Sequence, residues 1–91
     1  MKSQASPEFW DCLASLPAPI RDAARTAYVQ WRADPGHPSL RFKPVVSDPP
    51  IWAVRITGSY RALGLRDGDT IIWYWIGPHD TYDRLIKRGG D

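Results

Sequence analysis

Cysteine is nearly absent. Cys12 stands alone among 91 residues, so no internal disulfide can form and a zinc site could draw on one thiolate at most. A lone thiol fits a reducing compartment, and the expectation is a cytoplasmic protein. Long apolar runs are missing too. The longest, Ile71 to Ile76, falls far short of the ~20 residues a helix needs to cross a bilayer. Met1 to Glu8 lacks the apolar stretch of a secretory signal. No membrane association is expected. The only histidines, His37 and His79, are too distant from each other and from Cys12 to suggest a metal site. No metal and no cofactor are expected. Net charge is small as well, at +2, and does not by itself mark a nucleic-acid binder.

Large rings are plentiful. Five Trp, four Tyr and two Phe suit a chain whose length allows one domain, residues 1–91, with a small core. Each ring removes roughly 150–250 Å² from water. A hydrophobic fraction of 43% and a charged fraction of 24% are those of a folded globule.

Charge is unevenly spread. Met1 to Gly36 holds four basic and four acidic residues, whereas His37 to Arg61 holds Arg41, Lys43, Arg55 and Arg61 against Asp48 alone. Such a local basic field suits a polyanion or an acidic protein partner.

Ser6-Pro7-Glu8 has the order of a helix start: cap, proline at the first helical position, acid in the first turn. Phe9, Trp10, Leu13 and Leu16 then share one helical face. Pro17 and Pro19 separate this helix from a second, in which Ile20, Ala23, Ala24, Ala27, Tyr28 and Trp31 form an apolar stripe. The segment from Asp34 to Pro38 ends it. Beyond, Leu40 and Phe42 alternate with Arg41 and Lys43, and Trp52, Val54 and Ile56 with Ala53, Arg55 and Thr57. These segments predict strands. Tyr60 to Leu65 predicts another, followed by an Asp67-Gly68 hairpin turn. Thr70 to Ile76 predicts a central strand covered on both faces. Gly77-Pro78 is expected to break it and Asp80 to cap a short last helix through Tyr82, Leu85 and Ile86. The expected fold is α+β: an N-terminal helical hairpin packed through Trp10, Leu13, Ala27, Tyr28 and Trp31 on a mainly antiparallel sheet of about four strands, then a short C-terminal helix.

Three stretches in this order, Trp52-Ala53-Val54-Arg55-Ile56, Tyr60-Arg61-Ala62-Leu63, and Trp73 through Gly77-Pro78-His79-Asp80-Thr81-Tyr82, resemble the RelE/ParE superfamily of bacterial toxins. With the Pro38 to Lys43 segment, the resemblance covers roughly the last 55 residues. The chain departs from it in two ways. Ala53 stands where RNA-cleaving members often carry a first basic residue, leaving Arg55 at the second, and only Lys2 to Ala5 remain for the strand that usually opens the fold.

The resemblance implies the toxin of a type II toxin–antitoxin pair, neutralised by an acidic antitoxin and cutting mRNA on the ribosome without a metal. The alternatives are a ParE-like, non-catalytic inhibitor of a topoisomerase and an inactive relative acting as a binding module. Metal-free cleavage needs the 2′-hydroxyl deprotonated, the phosphorane charge stabilised and the 5′-oxygen protonated. By resemblance, Arg61 holds the phosphate and Arg55 assists, each with a guanidinium that matches two phosphate oxygens. His79 exchanges protons near neutral pH, Tyr82 orients the phosphate, stacks or shares the proton transfer, and Arg41, Lys43 and Arg55 bind RNA. Plainer roles compete. Arg61 can pair with Asp83 or Asp69, Tyr82 can be core, and His37 can be a loop residue. Trp73 and Trp75 can stack bases or simply pack.

Overall fold

A computed structural model describes residues 1–90, with side chains through Lys87. Its elements run β1 (Lys2–Ala5), α1 (Pro7–Ala14), α2 (Ala18–Ala33), a 3₁₀ turn (Pro38–Leu40), β2 (Lys43–Val46), β3 (Ile51–Thr57), β4 (Tyr60–Asp67), β5 (Thr70–Pro78) and α3 (His79–Gly90). The helix start read at Ser6 is present. The Ser6 hydroxyl accepts the Phe9 backbone N–H at 3.4 Å, and Pro7 occupies a first-turn position where no N–H is needed.

The sheet has five strands rather than about four, in the order β1-β5-β4-β3-β2. The last four pair antiparallel, as their alternation predicts. β1 adds a parallel edge, Ser3 opposite Ile71 and Ala5 opposite Trp73, so the helical hairpin is the second unit of the chain, after a strand. Residues 2–5 carry too little pattern for a sequence reading to count them. β5 thus gains neighbours on both sides, and it runs on through Gly77 and Pro78 instead of stopping there. A proline fits because the strand ends at it, where no further ladder bond is needed.

Two layers cover the sheet. On one face α1 and α2 bury Trp31, Ala24 and Ala27 against Val54, Ala62, Ile71, Trp73 and Ile76. Trp31 is the hub, edge-on to Trp73 at 5.5 Å and to Phe42 at 5.7 Å between ring centroids. Two residues expected in this contact lie outside it: Trp10 is 56% exposed and Tyr28 40%. Trp10 instead sits edge-on to Phe9, the ring that does pack inward. Tyr28 stacks on Trp31 and sends its hydroxyl to Ser3 Oγ at 2.7 Å.

On the other face α3 packs Tyr82 and Ile86 against Ala53 and Leu63. A register shift makes this second layer possible. Leu63 pairs with Trp75 and Gly64 with Trp73, leaving Tyr74 as an extra residue on β5. Such a bulge interrupts the strict alternation of faces, so Trp73 packs under the helical hairpin while Tyr74 and Trp75 pack on the α3 side. Gly64 faces the bulge because nothing larger fits: a Cβ there would lie 2.5 Å from Ile71 Cγ2 and 2.9 Å from Trp73 Cε3.

No helix among the described residues is long and apolar enough to cross a membrane.

Candidate anion-binding cleft

Alternation along β3 places Trp52, Val54 and Ile56 toward the helical hairpin, so Ala53 and Arg55 face α3. The same parity on β4 sends Arg61 and Leu63 to the α3 face. Arg55 and Arg61 are direct cross-strand partners, and Gly77 is the β5 residue beside Arg61. His79 follows two positions later. Its backbone N–H donates to Ser59 O at 2.7 Å, tying the start of α3 to the β3–β4 turn. A cleft of about 310 Å³ opens there. It is lined by all six residues singled out from sequence: Arg41, Lys43, Arg55, Arg61, His79 and Tyr82.

Two of the six arrive by routes the sequence reading did not foresee. Arg41 is not on a strand. It closes the 3₁₀ turn with φ +46°, a left-handed conformation open to glycine but rarely adopted by L residues other than Asn and Asp. β2 begins only at Lys43. His79 does not precede a helix capped by Asp80; it is the first residue of α3, which extends to Gly90 and is longer than expected.

Positive charge is concentrated in the cleft. Like charges directly opposed across an antiparallel pair destabilise a sheet. Arg55 and Arg61 are so opposed, yet among the described residues no carboxylate bridges either of them. Burial, and next the field of Arg55, lower the Arg61 guanidinium below its ordinary pKa. Its Nη1 donates to Thr57 O at 2.6 Å and Tyr60 O at 3.0 Å. Those bonds fix the fork, while Nη2 and Nε have no partner among the described residues. Arg41 and Lys43 are exposed at the rim. Among the described residues Asp83 is the single acid lining the cleft, against four basic side chains.

Tyr82, only 6% exposed, is a core residue of the α3 face that also borders the cleft. Burial raises its phenol pKa, Arg61 lowers it and Asp83 raises it, in decreasing order. Its ring lies 5.6 Å from that of His79 at 45°. His37 is a loop residue: its Nδ1 accepts the Ser39 N–H at 3.2 Å and caps the 3₁₀ turn. Trp73 is buried under Trp31 and unavailable for stacking a base.

The sequence leaves Asp83 and Asp69 as competing ion-pair partners for Arg61. Among the described residues neither pairs with it; Asp83 lies beside His79 instead, Oδ2 to Nδ1 at 3.1 Å, one helical turn apart. That spacing becomes a contact because α3 starts at His79 itself.

The sequence pattern of the ParE-like toxin domain matches residues 18–84. No curated protein matches the chain. Several solved structures share its fold. The RelB–RelE antitoxin–toxin complex from Methanococcus jannaschii contains a chain 18% identical, with TM-score 0.71, covering 90% of this chain and 96% of that one. A YoeB/ParE toxin from Agrobacterium tumefaciens is 17% identical, with TM-score 0.64 and coverages of 87% and 99%. A copper-bound mutant toxin from Helicobacter pylori is 14% identical, with TM-score 0.59 and coverages of 89% and 97%. Since the domain pattern spans well over half of the residues and the architecture agrees, the chain belongs to the ParE-like toxin domain family of the RelE/ParE superfamily.

Proposed function

We propose that this toxin is a metal-independent endoribonuclease that cuts mRNA on the ribosome and is held inactive by a cognate antitoxin. The observation that supports the reading most is the opposed Arg55/Arg61 pair, bridged by no carboxylate among the described residues, beside an imidazole in one cleft. A scissile phosphate seated on Arg61 and Arg55 would have its developing charge met by fixed donors. His79 is within the same cleft to move a proton, and Tyr82, held by the core, backs its ring. Arg41 and Lys43 at the rim would follow the flanking phosphates, giving affinity without sequence preference. An acidic antitoxin segment would compete for the same basic groups. A substrate of ribosomal mRNA implies a cytoplasmic protein.

Primer extension on cellular mRNA after induction tests this. New 5′ ends within coding regions, absent on induction of Arg61→Ala or His79→Ala variants that fold normally, are the expected result. Intact mRNA with arrested growth would reject it.

One observation favours a second reading, inhibition of a topoisomerase without catalysis. Ala53, where a first basic residue would stand, is 2% exposed and packed with Leu63 and Tyr82. β3 therefore brings one cation to the cleft instead of two. Loss of gyrase supercoiling in the presence of the purified toxin, with mRNA intact, would select this reading.

A further inference from the structure

A carboxylate in a cleft that collects phosphate needs a reason, because it opposes the ligand. Asp83 is such a group. It lines the cleft with Arg41, Lys43, Arg55 and Arg61, and each of those would bind RNA better without it. Its contact is with none of them. Oδ2 lies 3.1 Å from His79 Nδ1, across one turn of α3.

The main chain of His79 is anchored by its N–H to Ser59 O at 2.7 Å, while its half-exposed imidazole has the buried Tyr82 ring on one side and Asp83 at the Nδ1 edge. Nε2 has no hydrogen-bond partner among the described residues. An Nδ1–H donated to a carboxylate fixes the tautomer and leaves the Nε2 lone pair open.

We propose that Asp83 is a positioning residue: it holds His79 as the Nδ1–H tautomer so that Nε2 is the base for the 2′-hydroxyl. This rests on the RNA-cleaving reading above. In the step, Nε2 takes the 2′-OH proton as the 2′-oxygen bonds to phosphorus. The bond from phosphorus to the 5′-oxygen breaks, and that oxygen takes a proton from water. The hydroxide so formed is neutralised by the proton on the imidazolium. The products are a 2′,3′-cyclic phosphate and a 5′-hydroxyl end. Asp83 touches no reacting atom.

The alternative is an ordinary helix-surface pair, and the two separate because they move binding and cleavage differently. The experiment compares the full-length chain with Asp83→Asn and Asp83→Glu, each checked by circular dichroism. Single-turnover cleavage is measured on mRNA-programmed ribosomes, and affinity on the same complex with a 2′-O-methyl group at the cut site. Removing the one anion should tighten binding about threefold, a screened Coulomb effect, while cleavage slows about 10²-fold, as loss of base function does. Asp83→Glu should recover most of the rate. Independently of any RNA, imidazole ¹⁵N shifts should report Nδ1–H in the wild type and a shift toward Nε2–H in Asp83→Asn. If Asp83→Asn binds more tightly and cleaves as fast as an active wild type, or if the tautomer does not change, the inference is overturned and the RNA-cleaving reading stands. If the wild type itself leaves mRNA intact, both are overturned.

Discussion

The two faces of the sheet differ sharply in what they bury. Under the helical hairpin, ten buried apolar residues centre on Trp31. Under α3 there are three, Ala53, Leu63 and Tyr82, with Tyr74, Trp75 and Ile86 half-buried around them, and beside this small cluster opens a cleft lined by four cations. The first face supplies the hydrophobic stabilisation. The second spends some of it, opposing Arg55 to Arg61 and burying a phenol next to them. A domain this small has room for such a site only because one face alone holds most of the core. Substitutions on the first face should therefore change folding, and those on the second should change activity with folding nearly intact.

The largest effect is expected at the hub. Trp31→Ala removes a ring that is 1% exposed and touches Trp73 and Phe42 edge-on. Loss of about 3–5 kcal/mol is the ordinary cost of such a truncation, against a total near 5–15 kcal/mol for a domain. Urea denaturation should show a much lower midpoint. A midpoint within experimental error of wild type would mean that the hairpin face is not the main core.

Arg61→Ala is the mirror experiment. On the proposed endoribonuclease reading, removing a fixed donor from the transition-state charge should lower turnover about 10²–10³-fold. Stability should stay within about 1 kcal/mol, because the turn carbonyls it bonds can take water instead and the repulsion from Arg55 disappears. Turnover is read by mRNA cleavage and stability by urea midpoint on the same preparation. A variant that loses stability as much as Trp31→Ala would erase the distinction between the faces.

Gly64→Ala probes the seam between them. The added methyl would press on Ile71 and Trp73 at the bulge, and overpacking of this kind costs about 1–3 kcal/mol. The register shift that sends Trp75 to the α3 side is set at this position, so cleavage should also fall somewhat. Urea midpoints together with the rate should show both. A Gly64→Ala variant as stable as wild type would place the constraint elsewhere.

Most of the fold was legible because periodicity reports burial. The α2 stripe through Ala24, Ala27 and Trp31 and the alternation of Trp52, Val54 and Ile56 each state their structure locally. The Asp67-Gly68 turn lies one residue later than expected: Asp67 ends β4 opposite Thr70, Gly68 and Asp69 are the central pair, and of these Gly68 alone takes a positive φ, +60°. What was hidden depends on partners distant in sequence. β1 has four residues and no pattern of its own; only β5 makes it a strand. The bulge at Tyr74 breaks an alternation that looks uninterrupted in the sequence. Trp10 looks like core by spacing and is exposed because α1 has only eight residues and presents Phe9 inward instead. The cleft residues were readable as residue types from family resemblance. Their convergence on one cavity, and the His79–Asp83 pair within it, required the strand register and the true start of α3.

The smallest effect concerns alkaline pH and falls on the α3 face. Burial raises the phenol pKa of both Tyr74 and Tyr82, so the folded state favours the neutral phenol more than the unfolded chain does. Their contribution to stability is fully present below the unfolded value, ~10, and is lost as pH rises through the higher folded value. Urea midpoints measured at pH 8 and again near pH 11 should fall. Part of that fall should vanish in a Tyr74→Phe, Tyr82→Phe double variant, which keeps the rings and removes the ionisation. Arg61 favours the Tyr82 phenolate and so works against burial. Combining the wild-type tyrosines with Arg61→Ala should therefore raise the folded value of Tyr82 further and deepen the alkaline loss. A shallower loss in that variant would mean that the Arg61 side chain raises the phenol pKa by covering it from solvent more than its charge lowers it.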